Sequence, residues 1–345
     1  EKTMDKEMNI LFVHPLEGNA YELYKAFERK KNINIIPLLK EKLKLENNLI
    51  TKIRHKIRLH KDSFDINNKL LSYNLDNIDI VFIVKGNEVY PDTLKKISKK
   101  FPSIKLINWS LDDMSGWHTK SLFFHYGLKY YDLVYTTKTY NISRLKKIGA
   151  KKIKYITQAY SNDIHKKPQK TSKLFEYDVL FIGRAEKERF ETMKFLANNG
   201  INVNIYGTGW EKKPYKHQIN NLFIHKHPLF NENYALAIAS SKITLTFLSK
   251  INEDLHTSRS FEIPACGGFM IAERTSEHTT LFEENKEAVY FSSNNELLEK
   301  INYYLNNEIV RKEIINNALK RSKSSGYSYD DMADKLVIDF QELYV

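Results

Sequence analysis

The sequence predicts two α/β domains in tandem, each a doubly wound parallel sheet, on three observations. Short apolar, β-branched runs alternate with longer amphipathic segments along most of the chain, the pattern of repeated βα units. The 345 residues exceed what one small core needs and suit two domains of about 150 residues each. Midway, the polar stretch SNDIHKKPQKTSKLFE (161–176) breaks the alternation, carries Pro168 and reads as a linker.

Five strands are expected in the first domain: NILFVH (9–14), INIIPL (33–38), IDIVFIV (78–84), IKLINW (104–109) and DLVYTT (132–137). Helices fall between them at 20–30, 91–101 and 139–149, the last stopped by Gly149. The second series runs YDVLFIG, INVNIYG, NLFIH, KITLTFL, GFMIAE and EAVYF, with helices near 188–199, 231–240, 258–266 and 277–284. The remainder is helical, and its last helix, about 328–344, is expected to fold back over the first domain. The expected organisation is thus 1–165, 166–327 and a returning helix 328–345. Open α/β sheets bind ligands beyond the carboxyl ends of their strands, so a cleft between the two domains is the expected site.

Composition narrows the class. With 42% hydrophobic and 28% charged residues and no apolar run near the roughly 18 residues a bilayer requires, a membrane-spanning chain is not expected. One cysteine, Cys266, excludes an internal disulfide, and with no signal-type segment the expected location is cytoplasmic. The net charge of +12 admits an anionic partner, but lysines spread along the whole chain fit a solvated surface better.

Two motifs carry chemistry. In VLFIGRAEKER (179–189) a buried strand ends at Gly183, where a ligand can approach the backbone. Arg184 and Arg189 flank the following helix start, an arrangement that suits a diphosphate. The alternative is a plain strand-helix turn whose arginines pair with Glu186 or Glu188. In SRSFEIPACGGFMIAE (258–273) a helix begins near Thr257 or Ser258, places Glu262 about one turn in, and turns sharply at Gly267 and Gly268 into a strand. Asp254 lies eight residues before Glu262, and a carboxylate at such a junction can hold the vicinal hydroxyls of ribose or a pyranose.

From about Tyr177 onward the chain resembles the donor-binding domain of GT-B glycosyltransferases, in detail the CgeB-like (spore-maturation type) branch of the family 4-like group. The resemblance rests on DVLFIGRAEKER, VNIYGTGW, NYALAIASSKITLTFLS, HTSRSFEIPACGGFMIAE, LFEENKEAVYF and ELLEKINYYLNNEIVRKEI, in that order. It implies two Rossmann-like domains facing each other across a cleft. It further implies a diphosphate held by Arg184 and Arg189 near Gly183, and a nucleotide ribose bound by Glu262. Asp254 stands where the family has a sugar-contacting Glu, a departure that bears on sugar contact and on stereochemistry. His256, Thr257 and Arg259 are expected at the diphosphate or sugar. Tyr206, Gly207 and Trp210 would line the base pocket, with Trp210 as a stacking face or, alternatively, as ordinary core.

In the first domain Asp112, Asp113, Trp117 and His118 follow a strand in LINWSLDDMSGWHTKS, and His14 follows the first strand. Asp112, His118 or His14 could serve as general base toward an acceptor. The segment NLITKIRHKIRLHK (48–61) has a helical apolar stripe on a basic face, either a surface helix packed on its own domain or a peripheral contact with an anionic membrane at its inner surface. The expected activity is sugar transfer from a UDP- or GDP-type donor to a hydroxyl of a glycan, surface polymer or protein. Neither cofactor nor metal is expected, nor nucleic acid, and the outcome is expected to be retaining. The competing readings are a non-catalytic basic module for an anionic polymer or nucleic acid, and a phosphorylase or epimerase on the same scaffold.

Overall fold

The computed structural model describes residues 7–39, 57–114, 121–212, 215, 218–225, 227–250 and 252–344. The described residues divide into two compact units. One lies within Glu1–Thr157, Lys250–Glu253 and Tyr329–Val345, the other within Gln158–Ser249 and Asp254–Ser328.

The first unit holds β1 (Met8–Val13), β2 (Ile33–Pro37), β3 (Ile80–Val84), β4 (Lys105–Ser110), β5 (Leu133–Thr136) and β6 (Ile153–Tyr155). They form one parallel sheet in the order β2-β1-β3-β4-β5-β6. Every residue of the central IVFIV strand is buried, as a parallel strand covered on both faces requires. The order reverses between β1 and β3, so the topological switch point lies at the carboxyl ends of Val13 and Val84. Helices α1 (Gly18–Glu28), α2 (Ile66–Ser72), α3 (Pro91–Lys100), α4 (Leu122–Gly127) and α5 (Asn141–Ile148) accompany them. Gly149 ends α5 with φ 121°, the left-handed exit that a glycine allows.

Three of these elements were not expected from the sequence: β6, α2 and α4. The strand β6 is a three-residue, half-exposed edge between lysines, with no apolar run to announce it. The helices α2 and α4 span seven and six residues, shorter than the window of roughly 11–18 residues in which helical periodicity can be read.

The second unit's parallel sheet has the order β12-β11-β10-β7-β8-β9. Its strands are β7 (Val179–Ile182), β8 (Val203–Tyr206), β9 (Leu222–Ile224), β10 (Ile243–Thr246), β11 (Met270–Glu273) and β12 (Val289–Phe291). Successive residues of β7 serve opposite faces: Val179 and Phe181 join one apolar cluster, Leu180 and Ile182 the other. The switch point lies between β7 and β10. The flanking helices are α6 (Lys187–Asn198), α7 (Asn231–Ser240), α8 (Arg259–Ala265), α9 (Ser276–Leu281), α10 (Asn294–Asn306) and α11 (Glu308–Ser324).

Residues 161–176, read from the sequence as a linker, are held by the second unit. Tyr160 donates its N–H to the Tyr327 carbonyl at 3.1 Å, and a single 3-10 turn forms at Lys173–Phe175. The last helix, α12 (Tyr329–Gln341), belongs to the first unit. Phe340 is fully buried against Phe27 and Phe82, with ring centroids 6.2 and 5.9 Å away. Arg29 grips Asp330 with two hydrogen bonds of 2.7 and 2.9 Å.

Candidate functional site

At the second switch point, backbone approaches backbone more closely than any side chain would allow. Gly207, just past β8, has φ 142°, and a Cβ there would stand 2.0 Å from the Gly183 carbonyl oxygen. Three bonds hold the two loops together. The Gly183 N–H donates to the Tyr206 carbonyl (2.8 Å), Ala185 N–H to the Thr208 carbonyl (2.9 Å), and the Trp210 indole Nε1–H to the Gly183 carbonyl (2.8 Å). The YGTGW segment therefore shapes the turn after β7.

This corrects the base-pocket reading of its aromatics. Trp210 is 2% exposed, packed among Phe181, Phe190 and Tyr215, and offers no free face. Tyr206 is also buried, stacked on His225 at 4.1 Å and hydrogen-bonded through its hydroxyl to that of Tyr177 at 2.7 Å. Sheet packing claims both rings, because each lies next to a strand buried on its two faces.

The cations divide by role. Arg184 is exposed at the turn. Arg189 is turned inward: it pairs with Glu186 at 3.0 Å, donates to the Arg184 carbonyl at 3.1 Å and lies over Phe181. It is not the free second fork the sequence suggested, since its place on the first turn of α6 points it at the sheet. Burial, opposed by the Arg189 charge, raises the Glu186 carboxyl above its usual range.

Arg259, the first residue of α8, makes no hydrogen bond or ion pair among the described residues, and its Nε is buried without a partner. Its Nη2 would stand 3.2 Å from a Cβ on Gly183, so the guanidinium reaches the bare backbone at the end of β7. A buried donor left unpaired costs about 1–3 kcal/mol, which an oxyanion placed there would offset. Asp254 is half-buried in the loop before α8 and contributes negative potential at Glu186 and Arg189.

Glu262 lies one turn further along α8, on the same face as Arg259. Its carboxylate is 12% exposed: Oε2 accepts the Tyr234 hydroxyl at 2.5 Å, and Oε1 stands 4.0 Å from Nε2 of His165. Burial and the neighbouring Glu262 charge push the Tyr234 hydroxyl well above its ordinary pKa, so it remains a donor. The helix itself is set by its turn: a Cβ at Gly268 would meet Ile238 Cγ2 at 2.4 Å, which glycine avoids.

His256 requires a second correction. It is buried, its Nε2 accepts the Gln158 N–H at 3.0 Å and its Nδ1–H donates to Glu277 at 2.5 Å, so both ring nitrogens are spent on structure. Thr257 donates its N–H to Ser260 Oγ, which meets His278 Nε2 at 2.7 Å, and His278 Nδ1–H donates to the Glu273 carbonyl at 2.6 Å. Burial pushes His278 down to about 4. This polar scaffold pins the start of α8. The buried His256–Glu277 pair fixes helix position.

In the first unit, His14 follows β1 and its Nδ1–H donates to the Pro15 carbonyl at 2.7 Å. Burial, aided by the Lys85 charge, lowers its pKa. Asp112 pairs with Lys85 at 2.9 Å, and Lys85 adopts φ 62°, an uncommon backbone for a lysine. Asp113 is buried, takes the Asn252 side-chain oxygen on its N–H at 2.9 Å and lies 3.4 Å from Arg144. Trp117 and His118 lie outside the described residues, as does the 48–56 part of the basic stripe, whose described remainder 57–61 is not helical.

The sequence reading missed His165, Tyr234 and Lys85. His165 sits in a lysine-rich stretch whose local pattern says only linker, and Tyr234 sits on an alanine-rich, mostly apolar helix; only packing brings them to Glu262. Beside them, Asp163–Ser172 and the first turns of α7 enclose a lysine-lined groove of about 1180 Å³. No group of three or more His, Cys, Asp or Glu positioned to hold a metal ion occurs among the described residues.

Residues 187–338 match the family model described as Glycosyl transferase-like, so the chain carries a glycosyltransferase-like domain over that span. No curated protein matches the sequence. Among solved structures, a sucrose-phosphate synthase from Thermosynechococcus elongatus aligns with TM-score 0.70 and 10% identity, covering 98% of this chain and 99% of its own. The Anabaena protein HepE in complex with UDP-glucose aligns with TM-score 0.66 and 10% identity over 97% of this chain and 100% of its own. A glycosyltransferase from Rickettsia africae aligns with TM-score 0.66 and 14% identity, covering 98% and 99%. The two parallel six-stranded sheets with flanking helices are the two Rossmann-like domains of the GT-B fold.

Proposed function

We propose that this protein is a hexosyltransferase that moves a sugar from a nucleoside diphosphate sugar, UDP-sugar foremost, to a hydroxyl of a glycan, polymer or protein acceptor, and that it falls in the CgeB-like branch of the family 4-like group. One observation carries this reading: Arg259 makes no hydrogen bond or ion pair among the described residues, its Nε is buried and unpaired, and it reaches Gly183 at the switch point, one helical turn from Glu262. A diphosphate at Gly183 would meet that guanidinium and the exposed Arg184. The attached ribose would then reach the carboxylate of Glu262 further along α8. The UDP-glucose bound to a structure of the same fold supports the donor class.

The leaving diphosphate gains charge as the glycosidic bond breaks, so fixed cations at Gly183 stabilise the transition state more than the ground state. Arg189 and Glu186 act behind this front, holding the turn that presents Arg184. We take transfer to be metal-independent, because guanidinium groups supply the compensating charge, and retaining, with a departing phosphate oxygen accepting the acceptor's proton. If a protein base takes part instead, His14 fits better than Asp112. Its Nδ1–H is tied to Pro15, which leaves Nε2 an acceptor with no hydrogen bond among the described residues, while Asp112 is paired with Lys85.

Calorimetric titration with UDP, GDP, ADP and CDP tests the reading. Selective binding of one nucleotide, lost in Glu262→Ala and weakened about 10- to 100-fold in Arg259→Ala, is expected; an intact chain that binds none of the four overturns it. Turnover of the matching nucleotide sugar in EDTA tests metal independence, and the anomeric configuration of the product tests retention.

A further inference from the structure

We infer that His165 and Glu262 together form a clamp for one ribose hydroxyl, which makes His165, from the segment joining the two sheets, a residue that selects ribonucleotides over their deoxy counterparts. The inference rests on the donor reading above and adds to it a residue and a selectivity.

The tautomer of His165 follows from its bonds. The Ser161 N–H donates to Nδ1 at 2.9 Å, so Nδ1 is an acceptor and the proton of the neutral ring sits on Nε2. The His165 N–H in turn donates to the Ser161 carbonyl at 2.8 Å, and the ring edge packs on Tyr234 at 5.4 Å between centroids. The imidazole is therefore fixed in place, and Nε2–H faces Oε1 of Glu262 at 4.0 Å.

That separation is too long for a direct hydrogen bond and suits one bridging oxygen. Two hydrogen bonds of about 2.8 Å each can meet at one atom when their far ends are 4.0 Å apart. The bridging group must accept from the imidazole N–H and donate to the carboxylate. A hydroxyl does both; an ether oxygen, a carbonyl or a C–H does not. The second carboxylate oxygen is already occupied by Tyr234, and Glu262 makes no further hydrogen bond among the described residues. Both side chains are about nine-tenths buried, 11% exposed for His165 and 12% for Glu262, so losing the bridging group leaves two poorly solvated polar atoms unmatched.

The test compares UDP, 2′-deoxy-UDP and 3′-deoxy-UDP by calorimetry on the intact protein and on His165→Ala and His165→Gln, with thermal melting to confirm folding. The wild type is expected to bind one deoxy analogue about 10- to 100-fold more weakly than UDP, the value of one charge-assisted hydrogen bond. His165→Ala is expected to bind UDP as weakly as that analogue and to stop discriminating. Glutamine, whose amide N–H can reach the Nε2 position, should keep the discrimination. Equal binding of all three ligands by the wild type, or an equal weakening of all three in His165→Ala, overturns the clamp and leaves the donor reading standing. A wild type that binds none of the three overturns both.

Discussion

At the residue scale, polarity says less than partnership. Arg189 and Arg259 share a charge, a neighbourhood and a buried Nε without a partner, yet Arg189 spends its terminal nitrogens on Glu186 and a carbonyl, whereas Arg259 makes no hydrogen bond or ion pair among the described residues. We expect Arg259→Ala to weaken UDP binding by about 10- to 100-fold with little loss of stability, because it removes the proposed ligand contact and no hydrogen bond or ion pair among the described residues. Equal UDP affinity by calorimetry would contradict this. His278 supplies a pH prediction. Its folded pKa of about 4 lies below the unfolded value near 6.5, so the unfolded chain binds the extra proton between them. Its contribution, up to about 3 kcal/mol, is complete above pH 6.5 and is lost as pH falls toward 4. Glu88, pushed to about 7 by burial, has the opposite slope, so the informative comparison is with a variant. Urea unfolding at pH 7 and pH 5 should show a smaller acid loss in His278→Asn than in the wild type. The identity of His256 as a buried, doubly bonded ring could not be read from HTSRSFE, since the N–H that satisfies it comes from Gln158, 98 positions away.

At the element scale, the site is two loops drawn together and one short helix. The glycines after β7 and β8 were legible as glycines at strand ends; that they serve each other was not. A methyl on Gly207 would collide with backbone, which cannot rotate aside, and its φ is unfavourable for other residues. Gly207→Ala is expected to cost about 1–3 kcal/mol of stability in urea unfolding and to abolish UDP binding; full affinity in a stable variant would contradict the close approach. The helix after β10 begins at Arg259, within two residues of the start read from the sequence, because apolar Phe261, Ile263 and Ala265 all turn inward. Trp210 stayed open for the opposite reason: an aromatic beside glycines at a strand end suits a ligand face and a core plug equally well, and its burial and its indole bond to Gly183 distinguish them.

At the scale of the molecule, each sheet completes its own core, and α12 is the exception that joins the last segment to the first. Phe340 is fully buried between Phe27 and Phe82. Phe340→Ala should therefore lower the stability of the first unit by about 3–5 kcal/mol. UDP affinity should be preserved, because the proposed donor residues lie in the other unit. Differential scanning calorimetry would check this: a lowered transition that UDP does not restore is expected, and an unchanged profile would contradict it.

The order of apolar runs alone determined the class of the protein, because a parallel strand buried on both faces must be apolar throughout, and βα alternation leaves few ways to arrange such strands. It also placed charged residues at strand ends, where such sheets bind ligands. Which of those residues stay free was decided by tertiary structure. Freedom depends on partners brought from distant positions: Gln158 and Glu277 to His256, Gly183 to Trp210, His165 and Tyr234 to Glu262. A side chain's chemistry is written in its type, but its availability is set by what packs against it.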